Sequence, residues 1–106
     1  MIAMKIFEQL KTFDTKLTLS KFCTDYLGMS RNYIFVKKHR EEDISNDALL
    51  NLYGALRATQ TIYKQIMADK NCGEFTNSYY RRCSERNEVL IQAVWNELDL
   101  RSEFAK

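Results

Sequence analysis

No proline interrupts these 106 residues, and glycine occurs only at positions 28, 54 and 73. Proline breaks a helix because it lacks an N–H and its ring clashes one turn back, while glycine weakens one through backbone entropy. A chain with so few of either predicts long uninterrupted helices. Its apolar share of 45% against 28% charged is that of a packed chain rather than a disordered one, and its length suits one core. No apolar run approaches the roughly 20 residues a membrane span needs. The opening MIAMKIFEQL is charged too early for a secretory signal, so no membrane partner and a cytoplasmic location are expected. Cys23, Cys72 and Cys83 are odd in number and lack C-x-x-C spacing. They read as reduced thiols serving as small buried hydrophobes.

Helix starts can be read from caps. Ser, Thr, Asp or Asn at the cap accepts from a backbone N–H of the first turn, and an apolar residue just before it packs on one four positions after. Four sites fit this pattern: Thr18 between Leu17 and Phe22, Ser30 between Met29 and Ile34, Ser45 between Ile44 and Leu49, and Thr76 between Phe75 and Tyr80. A first helix carrying Met4, Ile6, Phe7, Leu10 and Phe13 precedes them. The second then covers about 19–27 and stops at Gly28; the third covers about 31–40, with Tyr33, Ile34, Val36 and Lys37 inward. A fourth covers about 46–69, where Leu49, Leu52, Leu56, Thr59, Tyr63 and Ile66 recur at spacings of 3 and 4. After a break at 71–73 a fifth covers about 77–100, striped by Tyr79, Cys83, Leu90, Val94 and Leu98. Tyr79 is expected to pack inward and Tyr80 to staple the helix start, with Arg81, Arg82 and Arg86 outside. The predicted fold is all-α: a five-helix bundle forming one domain, with a head over about 1–45 and an antiparallel long-helix hairpin over about 46–104.

Charge is uneven along this plan. Residues 1–40 carry eight Lys/Arg and three Asp/Glu, a net of +5, whereas residues 41–106 carry eight and eleven, a net of −3. An anionic partner for the first part is therefore expected. Within it, KFCTDYLGMSRNYIFVKKHR joins two short helices through a turn with Gly28. That is the plan of a helix-turn-helix: a turn residue with positive φ, apolar residues fixing the angle, and a polar start on the second helix so that it can enter a major groove. Gly28 meets the first requirement. Phe22, Cys23, Leu27, Met29, Ile34 and Val36 meet the second, and Ser30, Arg31 and Asn32 the third.

Leu19 to His39, LSKFCTDYLGMSRNYIFVKKH, resembles the DNA-binding helix-turn-helix superfamily, with glycine in the turn and apolar residues one and six positions later, here Met29 and Ile34. Over residues 26–56 the chain is similar to small bacterial and phage proteins with a Y-L-G-x-S-x-x-Y core. The chain departs from the superfamily where Thr24 replaces a smaller residue and where Lys37 falls at an apolar position, whose packing Val36 would take over. The resemblance implies a role for each residue. Ser30 would cap the recognition helix and offer its N–H groups to a phosphate. Arg31 and Asn32 would reach base edges, and Phe35 could meet a thymine methyl. Lys37, Lys38 and Arg40, with Lys21 and Lys16 from the preceding helix and its approach, would lie near phosphates.

No enzyme is expected. His39 is the sole histidine and has no Cys or His at ligand spacing, and the chain holds no phosphate-binding loop, nucleophile elbow or zinc pair. No metal or cofactor is expected either. The leading expectation is a sequence-specific DNA-binding protein, a transcriptional regulator of a bacterium or phage, acting as a homodimer on double-stranded DNA. The alternative is a helical module with a protein partner, such as a phage-encoded inhibitor of a host defence complex; the acidic remainder of the chain motivates it.

Overall fold

The structure is a computed structural model that describes the backbone of residues 1–104 and the side chains of residues 1–102. It is all-helical over these residues: α1 (Ile2–Phe13), α2 (Leu19–Asp25), α3 (Tyr33–His39), α4 (Asn46–Ala68) and α5 (Glu74–Phe104). Among the described residues no helix is long and apolar enough to cross a membrane.

Two of the four expected caps form. The Thr18 side chain accepts from the Lys21 N–H at the start of α2, and Ser45 accepts from the Ala48 N–H at 3.2 Å at the start of α4. Their staples close as well, since Leu17, Phe22, Ile44 and Leu49 are all buried. Each cap contributes about 1 kcal/mol. The other two differ. Helix α5 begins at Glu74, before Thr76, directly after Gly73, and Phe75 is 84% exposed with no neighbour to staple. Tyr79 is also exposed, and it is Tyr80 that packs, 5.8 Å from Tyr63. The start of α3 is treated with the interface below.

Helices α4 and α5 form the antiparallel hairpin. Successive pairs set its register: Asn46 with Arg101, Tyr53 with Trp95, Gln60 with Ser84, Tyr63 with Tyr80, Met67 with Asn77. The seam is apolar at one end, where Leu49, Leu52, Leu56 and Val94 are fully buried. Its middle is polar. Asn87 Nδ2 donates to the Leu56 carbonyl and to Gln60 Oε1, both at 2.9 Å, and Gln60 Nε2 donates to Ser84 Oγ at 2.7 Å. A buried amide left unpaired costs about 1–3 kcal/mol, so this network disfavours any shifted register that would break it.

Helices α1 to α3 cover one face of the hairpin. Phe22 is fully buried between Phe7 and Tyr26, with ring centroids at 5.5 and 5.6 Å, in a core that runs on through Leu52, Leu56 and Val94. Cys23 and Cys83 are buried, free thiols. Phe13 receives the Arg86 guanidinium over its ring at 4.7 Å, which ties the end of α1 to α5.

Candidate nucleic-acid interface

The segment from Tyr26 to Glu42 is shaped by two left-handed residues. Gly28, at φ +63°, ends the α2 side. The Leu27 and Met29 N–H groups reach back to the carbonyls of Phe22 and Cys23 at 3.2 and 2.9 Å. Asn51 on α4 donates to the Leu27 carbonyl at 2.9 Å, and a Cβ on residue 28 would stand 2.7 Å from that same amide nitrogen. The turn therefore needs glycine twice over, for its φ and for its closeness to α4. At the other end Glu41 takes φ +55°. The Glu41 and Glu42 N–H groups close α3 on the carbonyls of Lys38 and Lys37 at 3.1 and 2.9 Å, the pairing of a Schellman ending.

Between these ends α3 packs through Ile34, which is fully buried, and through Tyr33. The Ser45 N–H donates to the Tyr33 hydroxyl at 2.8 Å, and that hydroxyl donates in turn to Ser45 Oγ at 3.2 Å. Arg101, near the end of α5, donates to the Ile44 carbonyl at 2.7 Å and to Asn46 Oδ1 at 3.0 Å, and pairs with Asp43 at 3.4 Å. The link after α3 is thereby held to both long helices. Tyr33, Asn51 and Arg101 carry this positioning, and no local sequence pattern marks Asn51 or Arg101 for it.

The outer side of the segment is free. Arg31, Asn32, Phe35, Val36, Lys38, His39 and Arg40 are all exposed. Among the described residues Arg31, Lys38 and Arg40 enter no ion pair, while two of the three carboxylates that follow are engaged, Glu42 by Lys37 at 3.0 Å and Asp43 by Arg101. The hydrogen bond and charge of Lys37 hold the Glu42 carboxyl below its ordinary range. Such surface pairs add little stability. Arg40 adds to the lowering of the Glu42 carboxyl, so that carboxylate stays beside the end of α3.

Four expectations change. Ser30 is not the cap: its carbonyl receives the Tyr33 N–H at 3.1 Å in a single turn, and α3 starts after Asn32, whose side chain makes no capping bond. The turn is thus seven residues long, and α3 has seven, so Arg31 and Asn32 stand in the turn ahead of the helix and the phosphate role of Ser30 lapses. Val36 is 44% exposed rather than inward; α3 packs through Ile34 and Tyr33 instead. Lys37 is half-buried, bonded to Glu42 and lying over the Tyr33 ring at 5.6 Å, so it is not free for a phosphate. Lys21 lies apart from this surface. With Lys16 it lines a shallow groove on α4 beside Asp14, Asp25, Tyr26 and Thr59, which has no α3 residue in its lining.

What remains together is a segment about 10 Å long, with a guanidinium and an amide at its start, Phe35 and Val36 on its side, and two cations at its end. Comparison with known proteins adds a family whose function is unknown. No curated protein and no solved structure matches the chain significantly. A match over residues 4–98, from α1 almost to the end of α5, shows that the chain belongs to a family of unknown function, DUF6626.

Proposed function

We propose that this chain is a small sequence-specific DNA-binding protein, a transcriptional regulator of a bacterium or phage that acts as a dimer in the cytoplasm. One observation carries the reading: Arg31, Asn32, Lys38 and Arg40 are all exposed on one segment whose two ends are fixed by the left-handed Gly28 and Glu41. Rigid display of free cations lowers the ordering entropy of binding an anionic surface. Arg31 suits guanine and Asn32 suits adenine, while Lys38 and Arg40 suit phosphates. Phe35, 53% exposed, suits a thymine methyl.

The test is a fluorescence-anisotropy titration against selected duplexes across a salt series. Affinity should fall with a log–log slope near −0.9 per phosphate neutralised. Arg31→Ala with Asn32→Ala should abolish preference between sequences while leaving the helical content intact. Lys38→Ala should weaken binding to all sequences and flatten the slope by about one per lysine removed. Affinity indifferent to salt would end this reading.

A second reading, a protein-binding module such as a phage-encoded inhibitor of a host defence complex, draws on Phe35 and Val36 exposed side by side. Phosphates gain nothing from that pair, whereas a protein groove would bury both. A stoichiometric protein partner in a pull-down from host lysate, with no retention of DNA, would favour it.

A further inference from the structure

Tyr79, expected inward, and Arg82, expected outside, line one groove. It lies between the end of α1 and the first half of α5, where Phe13, Tyr79, Arg82, Cys83 and Arg86 bound about 260 Å³. Arg82 and Arg86 are exposed and one turn apart. Among the described residues they enter no ion pair and donate no hydrogen bond, whereas their neighbour Arg81 is held by Asn77 Oδ1 at 3.0 Å. Arg86 rests the flat face of its guanidinium on the Phe13 ring at 4.7 Å, which fixes the group and leaves its in-plane N–H donors free. Like charges one turn apart destabilise a helix, and no carboxylate lines the groove to relieve them. Past Arg86 the lining turns apolar, through Phe13, Leu90 and Val89, the last 67% exposed.

We infer that this groove binds a small phosphomonoester with an apolar body, Arg82 and Arg86 taking the phosphate while the body lies along Phe13, Val89 and Leu90. Near neutral pH such a phosphate carries about −1.5 to −2 and three acceptor oxygens, which match two guanidinium forks, whereas a carboxylate matches one. The surrounding charges decide against a polyanion. On the facing stretches 8–14 and 79–90, two cations, Lys11 and Arg81, and four carboxylates, Glu8, Asp14, Glu85 and Glu88, stand outside the lining, a net of −2. A nucleic-acid strand would meet those carboxylates, while a single phosphate touches only the lining. The volume between the arginines is below the roughly 300–1,000 Å³ of a complete small-molecule pocket, so it houses the head and the body runs on into the apolar stretch. The site stands apart from the recognition segment, about 28 Å along α5 from the Arg101 clasp, and does not rest on the DNA reading.

Binding is measured on the full chain without DNA, from amide chemical shifts during titration with hexyl phosphate, adenosine monophosphate, inorganic phosphate and hexanoate. The better of the two esters should bind about tenfold or more tighter than inorganic phosphate, which lacks a body to bury, and than hexanoate, which engages one guanidinium. Which ester that is tells whether the body is alkyl or aromatic. Arg82→Gln and Arg86→Gln should each weaken it about tenfold at unchanged helical content. Arg81→Gln removes the same charge from the same turn outside the groove and should leave the affinity unchanged. Val89→Ser should shrink the advantage over inorganic phosphate and leave inorganic phosphate itself unaffected. Esters that shift no resonance, or that bind no tighter than inorganic phosphate or hexanoate, would overturn the inference, as would an Arg81→Gln loss equal to that of Arg82→Gln. Since Arg82 and Arg86 lie outside the recognition segment, such a failure would leave the DNA reading standing.

Discussion

Two turns of this chain carry a glycine, and they are held by different means. Around Gly73 every bond is local: the Cys72 N–H reaches the Asp69 carbonyl at 3.0 Å, the Asn71 N–H reaches Asp69 Oδ1 at 3.0 Å, and Asn77 reaches back to the Met67 carbonyl at 3.1 Å. Nothing lies within 4 Å of where a Cβ on residue 73 would be, and its φ is not positive. Around Gly28 the deciding bond comes from Asn51, 24 residues away, and the backbone is left-handed. The first turn only has to reverse the chain. The second has to hold an angle, because it sets α3 against the rest of the molecule, and that requires a contact from outside the turn.

Substitutions sharpen the contrast. The largest effect is expected at neither turn but in the hairpin seam: Asn87→Ala should destabilise by about 2–3 kcal/mol in denaturant unfolding, since it leaves Gln60 Oε1 buried without its donor. Gly28→Ala should cost about 2 kcal/mol, part from positive φ and part from displacing the Asn51 amide. Adding Asn51→Ala should relieve only the second part, so the two changes should not be additive, and additivity in a double-mutant cycle would refute the coupling. Glu41→Gly should stabilise by about 0.5 kcal/mol, as it removes the left-handed strain on a residue with a Cβ. Gly73→Ala should change stability by less than about 0.5 kcal/mol, and in the favourable direction, because it narrows the unfolded ensemble without meeting a neighbour. A large loss there would mean that the hairpin turn is fixed from a distance after all.

Features of the fold that depend on neighbours in sequence could be read from it. Thr18 and Ser45 cap the helices they open, and the spacing of Leu49, Leu52 and Leu56 marks the buried edge of α4. The pattern at Thr76 misled, because a staple needs something for Phe75 to pack on, and at the hairpin tip nothing covers it. Ser30 misled for a different reason: its carbonyl is taken up by the Tyr33 N–H in a separate turn, and α3 begins only at Tyr33, whose hydroxyl is bonded to Ser45, twelve residues on. Arg31, Asn32, Phe35, Lys38 and Arg40 were legible as exposed candidates from type and position alone. Lys37 was not, because its engagement with Glu42 depends on the left-handed residue between them, and glutamate gives no sign of that conformation.

The Arg101 clasp has a consequence for synthesis. Its guanidinium donates to the Ile44 carbonyl across 57 residues. At about 5–20 residues per second a ribosome needs roughly 3 to 11 s to cover that distance. For that interval the nascent segment carrying α3 has its glycine turn but not its far anchor. A ribosome-bound intermediate stalled before residue 101 should therefore keep the Asn51 and Ser45 contacts to the α3 segment but lack the clasp on Ile44 that the last helix to emerge supplies.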